Sequence, residues 1–498
     1  GIGQLGDDVN PIETTVATLS GRAGAEGISL LESDALTVGD TTATISRVAA
    51  DAGVSDVTDE TQSDLATADG SSGSIVLRVT DGDLTLEDGS TPGDDRAVSA
   101  DGTGNVRIEA MDTDHSVTAN ADVESEGGDV SVLAGHSIEF TGEADIDTLG
   151  EGTIDLEASA GSLKLSGTSD QTTGSGDIRL WAGTDITLGG TASTGGNLSV
   201  TASTGWIRDA DSDGSVDVEA DGLRLDAAVG IGQLGDDVNP IETTVATLSG
   251  RAGAEGINVL ESDGLVVGGA WATVNRVASD ATVSGLTDAE QSDLITTAGS
   301  NGAIVLRVTD GNLTLNDGTG PDDGSAVSAN GTGAVLLEAM GETAAGDLEV
   351  QSGIVSGSGP ISLQTDSGDV FHGATGHVTT SGSVELVAHG DIVMDGAAVI
   401  NSSGSNVRME TTGSDVTLGR IDATSGDVSI LTSEGHLIDA GDSDVDITTG
   451  ELRLNVGTYA GSESDPLEIT VETMSALTGQ GLFVDESYDC CRLENVHW

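Results

Sequence analysis

Apolar and polar residues alternate along this chain in short runs that often begin with glycine. The recurring pattern is Gly-x-apolar-x-apolar, a few polar residues, then apolar-x-apolar again. GDVSVLAGHSIEF from Gly128, GTIDLEASAGSLKL from Gly152, GDIRLWAGTDITL from Gly176, GNLSVTASTGWI from Gly196 and GSVDVEADGLRL from Gly214 are clear cases, with leading glycines 24, 24, 20 and 18 residues apart. Further on, Ile361, Val384, Val407 and Val428 keep the beat at 23, 23 and 21. Period-two alternation predicts strands with one buried face, filled here by Val, Ile and Leu. The leading glycines are expected to supply turn conformations closed to β-branched residues. Helical patterning is nearly absent. The stretch Asp56 to Ala68 (DVTDETQSDLATA), with its counterpart Gly285 to Thr297, is where one short helical turn could form.

Coils of about 18–24 residues carrying two or three short strands predict an all-β parallel β-helix, or solenoid. One coil cannot bury its own apolar side, but coils stacked about 4.8 Å apart share a core. The alternative is a tandem array of β-sandwich repeats, which calls for roughly 100-residue units with bulky core aromatics. Here the long repeat is 229 residues: Gly1 to Ile28 recurs unchanged at Gly230 to Ile257, and the match runs ungapped to Met111 and Met340. Trp181, Trp206, Trp271 and Trp498 share no common position, which favours the solenoid. A degenerate third copy opens near Gly457. The organisation expected is repeat unit 1 over 1–229, repeat unit 2 over 230–456, the start of a third over 457–488, and an atypical tail over 489–498.

Comparing the copies shows where constraint lies. Leu30 exchanges with Val259 and Ile45 with Val274, while Asp40 becomes Gly269 and Glu87 becomes Asn316. Interior fit is kept and individual charges drift, so most of the acidity reads as collective.

That acidity is extreme, a formal net charge of -69 with Lys164 as the one lysine. Such a surface repels nucleic acid and anionic lipid, so polyphosphate partners are excluded. It suits a salty exterior or a supply of divalent cations and resembles the surfaces of halophilic proteins, or of acidic proteins secreted into sea water. Disorder is the rival at this charge. The 36% hydrophobic residues, placed in regular alternation, argue for order. Cys490 and Cys491 are adjacent, which suits neither a disulfide framework nor a CxxC metal site. No apolar segment is long enough to span a membrane. The chain starts inside a repeat without a signal peptide, which reads as a processed or excised piece of something longer.

Candidate chemistry is sparse. Asp209, Asp211 and Asp213, followed by Gly214, reproduce the first half of a calcium loop: oxygen ligands at alternating positions, then a glycine for the sharp turn. The acid expected at the twelfth position is missing, since Ala220 stands there; the bland alternative is an acidic solvated turn. Calcium is the one cofactor the sequence suggests. Asp81, Asp88 and Asp94 with their copies Asp310, Asp317 and Asp323 could bind cations loosely. The seven histidines (His115, His136, His372, His377, His389, His436 and His497) make no zinc spacing and read as turn or surface residues. No nucleophile elbow or phosphate loop is present, so no catalytic residue is expected.

The runs from Gly128, Gly152 and Gly176 look like the coils of filamentous-haemagglutinin-type adhesins and related giant repetitive bacterial surface proteins. The block NPIETTVATLSG (Asn10 to Gly21, Asn239 to Gly250) is similar to linkers between coil groups in such giants. The resemblance implies a right-handed parallel β-helix, exported and displayed at the cell surface or secreted, as a fibre or stalk for attachment, matrix or filament formation. End-to-end self-association through exposed terminal coils is expected with it. A second reading is an adhesin module binding cell-surface glycans or calcium through inserted loops such as Ser46 to Ser71. A third is a polysaccharide-cleaving β-helix enzyme.

Overall fold

The computed structural model describes residues 1–486 and 492–493, apart from 8, 91–92, 212–213, 237, 321, 342–345 and 442–443. Cys490 and Cys491 thus lie outside the described residues. There is no helix among the described residues, and nearly every strand pairs in parallel with the strand one coil before and one coil after it. This is a parallel β-helix. It divides into two bodies, Gly1–Asp221 with Trp271–Ala289, and Gly222–Ala270 with Glu290–Trp498.

In the first body each regular coil has three strands. One coil, for example, runs Val130–Ala134, Ile138–Phe140 and Ile146–Thr148. The next coil lays Ile154–Ala158, Leu163–Leu165 and Gln171–Thr173 on them in register. On the first face, formed by the five-residue strands, Ile28, Ile75, Val106, Val130, Ile154, Ile178 and Leu198 form one inward column, and each is fully buried. The second body repeats the plan with Ile257, Ile304, Val335, Ile361, Val384, Val407 and Val428. Burial of each such side chain contributes about 1.5–3 kcal/mol.

Gly214 takes the left-handed turn that the sequence suggests, φ 76°, but other leading glycines have a different cause. Gly128, Gly152 and Gly176 do not adopt positive φ. They stand where successive coils approach too closely for any side chain. A Cβ would meet the carbonyl oxygen of Gly104 at 2.4 Å from Gly128, of Gly128 at 2.3 Å from Gly152, and of Gly152 at 1.9 Å from Gly176. A buried hydroxyl at the same corner donates to those carbonyls: Ser125 to Gly104 (2.8 Å), Thr148 to Gly128 (2.8 Å), Thr173 to Gly152 (2.6 Å). The second body has the same stack, with Ser356 donating to Gly333 and Thr380 to Gly359.

Two other expectations change. The stretch expected to hold a helical turn starts within a β-hairpin, Thr44–Val48 against Val54–Thr58, antiparallel from Thr44↔Thr58 to Val48↔Val54. Its counterpart falls in the hairpin strand Val283–Gln291. The apolar cross-strand pairs Ile45 with Val57 and Val48 with Val54 decide for strand pairing, against the weak helical propensity of the polar residues between them. The block similar to linkers is itself a coil. In the second body Ile241–Ala252 is one twelve-residue strand, pairing in turn with Gly256–Glu261, Leu265–Val267 and Leu294–Thr296. The degenerate third copy continues the stack there, as Leu467–Thr478 pairs along Ile447–Val456.

Candidate functional site

The acids are organised by the coil plan. At one corner of the first body, each aspartate accepts a hydrogen bond from the backbone N–H one coil further on: Asp122 from Asp145 (2.8 Å), Asp145 from Asp170 (2.8 Å), Asp170 from Thr191 (2.7 Å). The second body carries a longer ladder of the same kind, Asp347 to Asp369 to Asp391 to Asp415 to His436, at 2.7 to 2.9 Å. Stacked coils place like charges about one strand spacing apart. Burial pushes Asp122 up to about 6, with Asp145 adding repulsion; Asp147 also rises to about 6, through burial and then Asp145 and Glu124. Two shallow grooves run beside them. One of about 410 Å³ is lined by Asp122, Glu143, Asp145 and Asp170; the other, about 420 Å³, by Arg96, Glu124, Glu126 and Asp147.

Of the predicted calcium residues, Asp209 and Asp211 form a local turn in which the Asp211 N–H donates to Asp209 Oδ1 at 3.0 Å. Asp213 lies outside the described residues. Buried Asp217 brings a carboxylate oxygen within 4.8 Å of one of Asp209. In the second body Asp439, Asp446 and Glu468 bring one oxygen each within 4.8 Å of one another. Asp439 and Asp446 are buried. Glu468 is held above the usual carboxylate range by burial and by Asp439, Asp465 and Asp485. Its Oε2 has no hydrogen-bond partner among the described residues. An all-oxygen donor set under mutual repulsion fits a hard cation such as calcium. Asp439 ends the strand Leu437–Asp439, Asp446 stands just before Ile447–Val456 and Glu468 lies in Leu467–Thr478, so no local spacing signals the group. A third cluster, Asp81, Asp112 and His115, is largely exposed.

Asp88 and Asp94, like their copies Asp317 and Asp323, act on a buried aspartate that the sequence reading passed over. Asp64 and Asp293 each rise to about 6, first through burial and then through Asp94 and Asp88, or Asp317 and Asp323. Two buried glutamates were also missed. Glu32 accepts from Thr14 Oγ1 (2.6 Å) and from the N–H groups of Val16, Ser33 and Asp34. Glu261 repeats every contact with Thr243, Val245, Ser262 and Asp263. Among the histidines, His372 is a buried strand residue rather than a surface one. Its Nδ1 lies 2.9 Å from the Gly376 carbonyl, and burial lowers it to about 4.

The outward side of the first face carries the densest charge network. Asp155 and Glu157 face two arginines: Arg179 at 2.9 and 3.1 Å, and Arg276 of the hairpin Trp271–Ala289 at 2.6 and 2.5 Å. Burial opposes the Arg276 cation, yet its bonds to Asp155 and Glu157 outweigh that and raise its pKa. No family model, curated protein or solved structure matches the chain.

Proposed function

We propose that the chain is a structural segment of a long extracellular or cell-surface fibre or stalk of the adhesin type, acting in surface attachment, matrix or filament formation, without catalysis. The observation that carries this reading is one coil plan, in register within each body, aliphatic within and acidic without. Stability built from neighbour contacts extends with every added coil, which suits length and display rather than a single reaction centre. The likeness of the Gly128, Gly152 and Gly176 runs to filamentous-haemagglutinin-type coils supports it, and the charge suits a saline exterior. Negative-stain microscopy and solution scattering test it. Long rods are expected; compact particles, or release of sugars from uronic-acid polymers, would sink the stalk.

The cluster of Asp439, Asp446 and Glu468 favours a second reading, a calcium-binding adhesin module. Calcium at micromolar levels is then expected to raise the melting temperature saturably, and Asp446→Asn to remove the effect. An equal rise with sodium would reduce the cluster to general screening. Binding on a glycan array would add a receptor role.

A further inference from the structure

Both repeats carry the same hairpin, but only one of the two is covered. In the first body, the hairpin Trp271–Ala289 lies across the outward side of the first face. The Asn275 N–H donates to Thr153 Oγ1 (2.8 Å) and the Val277 N–H to Ser131 Oγ (2.9 Å). Arg276 grips Asp155, while Asp288 receives Arg179 (3.2 Å) and Ser199 (2.7 Å). Underneath, Ser131, Asp155 and Ser199 are 0% exposed.

The hairpin of the first repeat is built alike. Thr44 and Thr58 hydroxyls meet at 2.8 Å, as Thr273 and Thr287 do at 2.9 Å. Ala52 and Ala281 take the same left-handed turn, φ 65° and 66°. The 229-residue offset places Arg47 at Arg276, Asp59 at Asp288, and Ile45 and Val48 at Val274 and Val277. Yet Ile45 and Val48 are 60% and 67% exposed, whereas Val274 and Val277 are 0%.

The second body offers the matching seat. On its first face Ser362, Glu385, Arg408 and Ser429 are successive register neighbours. They reproduce the order Ser131, Asp155, Arg179 and Ser199. Arg408 pairs with Glu385 at 2.9 Å, and the two side chains are 45% and 41% exposed, against 7% and 0% for Arg179 and Asp155.

We propose that the first hairpin of one molecule docks on this row of a second copy of the chain, Arg47 onto Glu385 and Asp59 onto Arg408 and Ser429. Hairpin and seat lie at different places in the chain, so the contact is heterologous and propagates unless its rotation closes a ring. The inference deepens the fibre reading and supplies a lateral contact distinct from pairing of terminal coils.

Sedimentation velocity on the intact chain tests it, in about 1 M NaCl, where the screening length falls to about 3 Å and repulsion between copies of charge -69 is quenched. Concentration-dependent oligomers are expected. Arg47→Glu alone and Glu385→Arg alone should each weaken association at least roughly tenfold. Mixed together, the two variants should recover association, because the native hairpin of one meets the native seat of the other and the reversed pair, Arg47→Glu with Glu385→Arg, is again of opposite charge. Melting curves check that each variant folds; if one does not, Val48→Asp replaces Arg47→Glu and Arg408→Asp replaces Glu385→Arg. A monomer at every concentration, oligomers indifferent to either variant, or a mixture that stays monomeric would each overturn the proposal. A monomer that still scatters as a rod would overturn the docking and leave the stalk standing.

Discussion

At the residue scale, similar acids do dissimilar jobs. Glu32 and Glu261 have the same cradle, yet Glu32 is held below the usual range and Glu261 is pushed up to about 7. For both, burial opposes the charge. Over Glu32 lies a coil whose Ile12 is 47% exposed, whereas the equivalent Ile241 over Glu261 is 0% exposed, so desolvation outweighs the hydrogen bonds only there. Glu261→Ala would strand the Thr243 hydroxyl and three backbone N–H groups; a loss of about 1–3 kcal/mol is expected in urea unfolding, with Glu261→Gln retaining most of the stability. The raised carboxyls also set a pH dependence. Asp64, Asp122, Asp147 and Asp293 near 6, and Glu261 near 7, hold protons in the fold that the unfolded chain releases, where aspartate and glutamate titrate at their ordinary 3.8 and 4.5. Their protonation therefore stabilises the fold as pH falls through 7 and 6. His372, lowered from 6.5 to about 4, acts oppositely below 6.5. Five carboxyls against one imidazole predict a melting temperature that rises from pH 7.5 to 5. It should fall again at more acid pH, where the unfolded chain takes up protons that the lowered carboxyls Glu32 and Glu157 resist in the fold. None of these buried acids was legible in the sequence, because a glutamate in a strand looks the same whether its face is open or covered.

At the scale of elements, the strands and their inward residues were legible, since alternation in a run such as Ile154 to Ala158 needs only its own residues to declare itself. The glycine beat was legible too, and Gly214 has the expected turn; at Gly128, Gly152 and Gly176 the cause lies in the neighbouring coil's carbonyl, which no local pattern reveals. The hairpins were missed because their alternation is interrupted by acids and their partner surfaces lie far away in sequence. Arg276 is the pin of the covered one. Arg276→Ala would leave Asp155, fully buried, with half its compensation, and removing one partner of a buried ion pair costs about 3–5 kcal/mol. Hydrogen exchange is expected to speed up across Trp271–Ala289 while the coils beneath remain protected. Unchanged exchange in the hairpin would show that its backbone bonds to Thr153 and Ser131 suffice.

At the scale of the whole molecule, the charge of -69 works against the compact state through self-repulsion. Salt should therefore stabilise: raising NaCl from about 0.05 M to 1 M shortens screening from about 14 Å to 3 Å and is expected to lift the melting temperature. The covered Arg276 network, less exposed to ions, should lose little, so a fall in melting temperature would mean that ion pairs outweigh repulsion. The 229-residue repeat, the all-β class and the stacked-coil plan were set by the sequence alone, because each depends on periodicity and on contacts between successive coils. Which acids are desolvated, and which hairpin is covered, only the tertiary structure decided. The identical segments Gly1 to Ile28 and Gly230 to Ile257 show why: Ile12 is 47% exposed and Ile241 is 0% exposed, and burial belongs to what packs against a residue, not to the residue itself.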